Sequence, residues 1–217
     1  MKKRVLKIII SLSLSAILAG LIVLSASLDI MQLRFDNGLY DNVIRLHIPA
    51  NSDSYEDQMQ KMRVRDVVLP YVTQITSGTG NVEDAKCMIM ENIDSLRCLV
   101  VEELQKSGYD YPVDVSFDRE YYPVRYYESF IFPSGIYNSL KIVLGDGKGK
   151  NWWCVLYPSV CTSLASDVSA DLKQAGITQD TADIICDCSK STEISFYFLE
   201  LYQNLKQHFY KFGGANA

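Results

Sequence analysis

Only two histidines stand in the 217 residues, His47 and His208, and no Cys-x-x-Cys pair accompanies them. A structural zinc shell needs four such ligands, so a metal site is hard to assemble and none is assigned. Positive charge is outnumbered as well, 21 Lys and Arg against 26 Asp and Glu. The formal net charge is −5, and without the N-terminal cations Lys2, Lys3, Arg4 and Lys7 the remainder carries −9. A domain of that sign does not draw nucleic acid or anionic lipid by long-range attraction. Six cysteines are too few for a disulfide scaffold. No internal repeat or low-complexity linker divides the chain. Its length suits one domain plus an attached segment, with enough chain to bury a core unaided.

Charge is missing altogether between Ile8 and Leu28, just after the basic stretch Met1 to Lys7. This reads as a secretory signal or an uncleaved anchor, and the positive-inside bias places everything after Asp29 outside the cytoplasm. The length of residues 8–28 favours an anchor. The small side chains of Ser25, Ala26 and Ser27 favour cleavage, and the two readings stay open. The expected organisation is therefore 1–28 signal or anchor, 29–41 connector, 42–212 one folded domain, and 213–217 a disordered tail.

In the domain, Val43 to Ile48 alternates as a strand, with Ile44, Leu46 and Ile48 on one face and Val43, Arg45 and His47 on the other. Pro49 ends it. Asn51, Ser52, Asp53 and Ser54 are helix-capping residues, and Ser54 with Asp57, or Asp53 with Glu56, has the spacing of a capping box. The helix that follows carries Val64, Val68, Tyr71 and Ile75 as its main stripe and Met59, Met62 and Leu69 as a second, with Pro70 expected to kink or end it. Asn81 caps a second helix, running to about Ser107 before Gly108, with Val82, Ala85, Ile89, Ile93, Leu96, Val100 and Leu104 inward. Cys87 and Cys98 lie on its other face, about 16 Å apart, and cannot bridge.

A strand over Tyr109 to Phe117 leads to the tyrosine-rich Tyr121 to Tyr127. Then Leu140 to Leu144 and Trp152 to Tyr157 flank the loop Gly145-Asp146-Gly147-Lys148-Gly149-Lys150-Asn151, the pattern of a hairpin whose turn needs positive φ. Trp152 and Trp153 point to opposite faces of the return strand. Leu164 to Ala175 and Thr178 to Cys186 read as short helices. Ile194 to Phe198 starts strand-like and passes into a final helix packed through Leu201, Leu205, His208 and Phe212. The sum is an α+β fold with a small, mainly antiparallel sheet, two long helices and a C-terminal helix.

Candidate chemistry is thin. The glycine loop fails the P-loop pattern, because Leu144 stands at the first-glycine position, Asn151 follows Gly149-Lys150, and a strand rather than a helix comes next. His47, Asn51, Asp53, Arg65 and Asp66 form the one dense cluster of titratable groups, as recognition surface or, in the plainer reading, as helix caps and a bonded histidine. Trp152 and Trp153 are either core or a partner-binding hot spot. Cys154 and Cys161 flank the turn at Pro158 and are the expected disulfide of an exported chain. Cys87, Cys98, Cys186 and Cys188 are expected as free thiols. Cys154 with His47 as base would instead make an exported cysteine hydrolase acting on cell-wall peptides.

Asn42 to Ser54 and Phe132 to Cys161, with Tyr121 to Tyr127 between them, resemble the stage II sporulation protein R family of endospore-forming bacteria. Pro49 departs from an expected aliphatic residue, and Thr162 to Thr192 has no clear counterpart. The resemblance implies a signal made in the forespore and secreted across its membrane into the intermembrane space. There it triggers a membrane-embedded protease that removes the pro-sequence of sigma-E. On this reading the protein binds and does not catalyse, and takes no cofactor, nucleic acid or small-molecule substrate. Arg45, His47, Asn51, Asp53, Arg65, Asp66, Arg125, Trp152 and Trp153 are its candidate contacts. A membrane-tethered structural protein of the septum is the third reading.

Overall fold

The computed structural model describes residues 2–36, 38–158 and 168–213. Helix α1 (Lys2–Asp36) contains an apolar stretch, Lys7–Ile30, long enough to cross a membrane and not buried by the rest of the chain. That stretch is compatible with a signal peptide or an anchor. The expected connector over 29–41 is helical as far as Asp36. Beyond it Leu39 N–H bonds the Phe35 carbonyl at 2.8 Å. Phe35, Leu39 and Tyr40 are buried, so apolar docking holds this segment in place.

Strand β1 (Ile44–Pro49) leads into α2 (Tyr55–Ile75), α3 (Val82–Glu91) and α4 (Ile93–Lys106). Ser54 caps α2 by accepting from Asp57 N–H at 3.1 Å, as the capping-box spacing predicts. The helix continues through Pro70 to Ile75. Its buried stripe is Val64, Val68 and Val72, with Tyr71 and Ile75 only partly covered and Met59 exposed. The single helix expected over Asn81 to Ser107 is two, broken at Asn92. That side chain donates back to the Met88 carbonyl at 2.8 Å and accepts from Tyr71 Oη at 3.0 Å, so it competes with the helical ladder.

Strands β2 (Val113–Tyr122), β3 (Arg125–Tyr126), β4 (Ile131–Phe132), β5 (Gly135–Leu144) and β6 (Asn151–Tyr157) follow. The fold is α+β with an antiparallel-rich sheet, in the order β2-β5-β1-β6, and β3 with β4 forms a separate ribbon. One expectation fails here. β5 and β6 do not pair as a hairpin, because β1 lies between them, parallel to β5 and antiparallel to β6. β1 is buried along its whole length and takes a central place. Stepping over one strand needs roughly 10 Å, which six loop residues span easily. The loop crosses the end of β1, where Gly149 N–H bonds the Ala50 carbonyl at 2.8 Å and Lys148 N–H the Asn51 carbonyl at 3.2 Å.

Helices α5 (Val168–Gln174), α6 (Gln179–Cys186) and α7 (Lys190–Gly213) complete the chain. The strand-like start at Ile194 to Phe198 is helical. The inward side chains of α7 are Phe196, Leu199 and Gln203, whereas Leu201 and Leu205, expected to pack, are exposed. The sheet separates two cores. Ile44, Leu46, Ile48, Leu140, Ile142, Cys154 and Leu156 face α2 to α4. Val43, Tyr122, Tyr137 and Val155 face the β3–β4 ribbon, the end of α1 and the C-terminal helices. Residues 159–167, with Cys161, and the tail 214–217 lie outside the described residues.

Candidate functional site

A groove of about 770 Å³ runs beside outer strand β6, lined by Arg65, Asp66, Leu69, Arg125 to Phe130 and Asn151 to Cys154. Alternation sends the two tryptophans of β6 to opposite faces, as their adjacency predicts. Trp152 packs with the α2 side and Trp153 with the β3–β4 side. Each carries an arginine: the Arg65 guanidinium is 4.6 Å from the Trp152 ring and that of Arg125 is 5.1 Å from Trp153. Arg65 also donates to Asp66 at 2.5 and 2.7 Å, an exposed pair of small energetic weight. Burial, and then the neighbouring Arg45 charge, lower Arg125 below the ordinary guanidinium value. Trp152 Nε1 and Arg125 Nε are buried with no hydrogen-bond partner among the described residues.

Behind Trp153 lies a polar network that the sequence shows only in fragments. The His47 ring stacks on Trp153 at 3.8 Å and 10°, and its Nδ1 is 3.0 Å from Glu120. Glu120 also accepts from Lys141 at 2.7 Å and Ser139 at 3.0 Å. Burial alone would raise the Glu120 carboxyl. The bonds from His47, Lys141 and Ser139 outweigh it and hold the group down at about 2. No local motif in the sequence marks Glu120, Ser139 or Lys141 as site residues. Register brings them to His47: Lys141 is the β5 partner of His47, and β2 supplies Glu120 from the next strand. The useful sign was polar residues at alternate positions on strands otherwise apolar.

Arg45 is wholly buried. Its guanidinium lies 4.3 Å from the Tyr122 ring, 5.0 Å from Tyr137 and 5.4 Å from Phe132, and Nη2 donates to Tyr127 Oη at 3.0 Å. It shapes the groove through Tyr127, whose hydroxyl donates to the Trp153 carbonyl at 3.4 Å. Asn51 and Asp53 tie down the glycine loop. Asn51 Oδ1 accepts from Asp146 N–H at 3.0 Å, and Asp53 Oδ1 from Lys150 N–H at 2.7 Å. The expected cluster of His47, Asn51, Asp53, Arg65 and Asp66 is thus dispersed. His47 joins the Glu120 network, Asn51 and Asp53 serve the loop, and Arg65 with Asp66 lines the groove.

The nucleophile and base proposed for a hydrolase do not meet. Cys154 pairs with Leu46 and faces the α2 to α4 core, while His47 pairs with Trp153 and faces the other side of the sheet. A sheet stands between the Cys154 sulfur and the imidazole, so they cannot exchange a proton directly. Cys161, the expected disulfide partner of Cys154, lies outside the described residues.

A family profile described as Stage II sporulation protein R matches residues 40–167. The curated protein named Stage II sporulation protein R from Bacillus subtilis (strain 168) is 36% identical over 121 residues, covering 56% of this chain and 54% of that protein. The chain thus aligns with about half the length of that relative. No solved structure matches the chain.

Proposed function

Because the chain belongs to the stage II sporulation protein R family, we propose that it is the secreted sporulation signal that switches on the membrane-embedded protease processing pro-sigma-E, by binding and without catalysis of its own. It acts after crossing the forespore membrane into the intermembrane space, either released or held by residues 8–28. A disulfide between Cys154 and Cys161 belongs to this exported form.

The observation that carries the reading is the groove beside β6. Two arginine–tryptophan pairs flank one outer strand there, and one buried donor of each, Trp152 Nε1 and Arg125 Nε, has no partner among the described residues. Tryptophan and arginine dominate the energetics of protein interfaces, and an indole fixed beneath a guanidinium is already ordered before binding. The acidic net charge argues against nucleic acid as the partner. The placement of His47 and Cys154 on opposite faces argues against the rival nucleophile and base.

Co-expression of the chain with the protease and pro-sigma-E in a non-sporulating host tests this. Processing should start only when the chain is present. Replacing both Arg65 and Arg125 by Ala should lower processing at limiting expression by about tenfold or more, since a central interface residue is worth about 2 kcal/mol. The thermal midpoint should barely move. Pro-sigma-E cleaved equally well without the chain would end the proposal. Full activity of the double variant would move the contact elsewhere on the surface.

A further inference from the structure

Helix α7 is apolar on two opposite faces. Phe196, Leu199 and Gln203 are buried against the domain, while Ile194, Tyr197, Phe198, Leu201 and Leu205 are between 43% and 60% exposed. These five recur at helical spacing and form one outward stripe. A helix covered by apolar groups on both sides needs a second apolar medium on its outer side.

The neighbouring element identifies that medium. The Phe35 ring of α1 meets Phe196 of α7 at 5.9 Å, and Asp29 of α1 accepts from Tyr202 Oη at 2.9 Å. The two contacts are six residues apart on each helix and run in opposite senses. α7 therefore travels back along α1 toward its apolar stretch, and Tyr202 stands beside Asp29, near the end of the Lys7–Ile30 segment. At 1.5 Å per residue, the stripe from Ile194 to Leu205 runs from roughly 12 Å above to 4–5 Å below that level, so it crosses the headgroup layer. Ile30 and Leu33 of α1 are exposed at the same height.

We infer that α7 is a second membrane-contacting element, whose outward stripe lies in the interface of the bilayer that α1 enters and holds the domain against that surface. The inference rests on α1 being inserted. The attraction is apolar burial, since the acidic domain gains nothing from anionic headgroups.

The full chain, N-terminus intact, is reconstituted into vesicles of phosphatidylethanolamine and phosphatidylglycerol, with a benzophenone amino acid replacing Leu201 or, as control on the polar flank, Glu193. Alkaline extraction reports on α1, and the crosslinked product on α7. A chain that resists extraction and gives about tenfold more lipid adduct from position 201 than from 193 is the expected result. A chain released at alkaline pH overturns the premise about α1. A retained chain overturns the inference about α7 if position 201 crosslinks to a second copy, labels lipid no better than 193, or gives no adduct.

Discussion

Arg45 shows how much one side chain here depends on its surroundings. Its burial would be costly for a lone cation, and among the described residues no carboxylate pairs with it. Three aromatic rings and the Tyr127 hydroxyl stand in. Glu120 is the opposite case, a carboxylate surrounded by donors and held at about 2 against an ordinary value of 4.5. A depressed folded value stabilises the fold above the unfolded one, and that stability is lost as pH falls from about 4.5 through about 2. Denaturant unfolding followed across that window should show stability falling by about 2–3 kcal/mol. Glu120→Gln should flatten the dependence there. An unchanged slope would mean that the His47 and Lys141 bonds contribute nothing to the folded state.

The decisive element is the loop between β5 and β6. Its glycines serve two purposes. Gly145 has φ of +58°, and a Cβ there would stand 2.1 Å from Asn51 Oδ1. Gly149 needs no unusual φ, yet a Cβ would meet the Ser52 carbonyl oxygen at 2.1 Å. The loop is thus pressed against the β1–α2 corner, where Lys61 also donates to the Lys150 carbonyl at 2.9 Å. Asp53→Ala, which leaves Lys150 N–H without its charged acceptor, should cost about 1.5–3 kcal/mol. Hydrogen exchange at Lys150 should quicken without change at the centre of β1. Exchange rising equally throughout the sheet would show that the loop and sheet open as one unit.

At the scale of the whole molecule, export makes a prediction about sulfur. Cys87, Cys98 and Cys188 are exposed free thiols and should alkylate at once in denaturant without reductant. Cys154 and Cys161 should label only after reduction; labelling of Cys154 beforehand would remove the proposed bridge. Much of this architecture is written locally. The uncharged run after a basic start, the Ser54 and Asn81 caps, the two faces of β1 and the opposed tryptophans all follow from neighbours a few residues apart, because capping and alternation are short-range geometry. The motifs over Asn42 to Ser54 and Phe132 to Cys161 likewise carried the family. Alternation assigns a residue to a face and leaves open which strand lies beside it, since pairing across the sheet has no local mark. Tertiary structure alone therefore put β1 between β5 and β6, placed Arg65 and Arg125 over their tryptophans, brought Glu120 to His47 and set that histidine across the sheet from Cys154. It also turned Leu201 and Leu205 outward, because the domain had room for one face of α7 and the end of α1 fixed which.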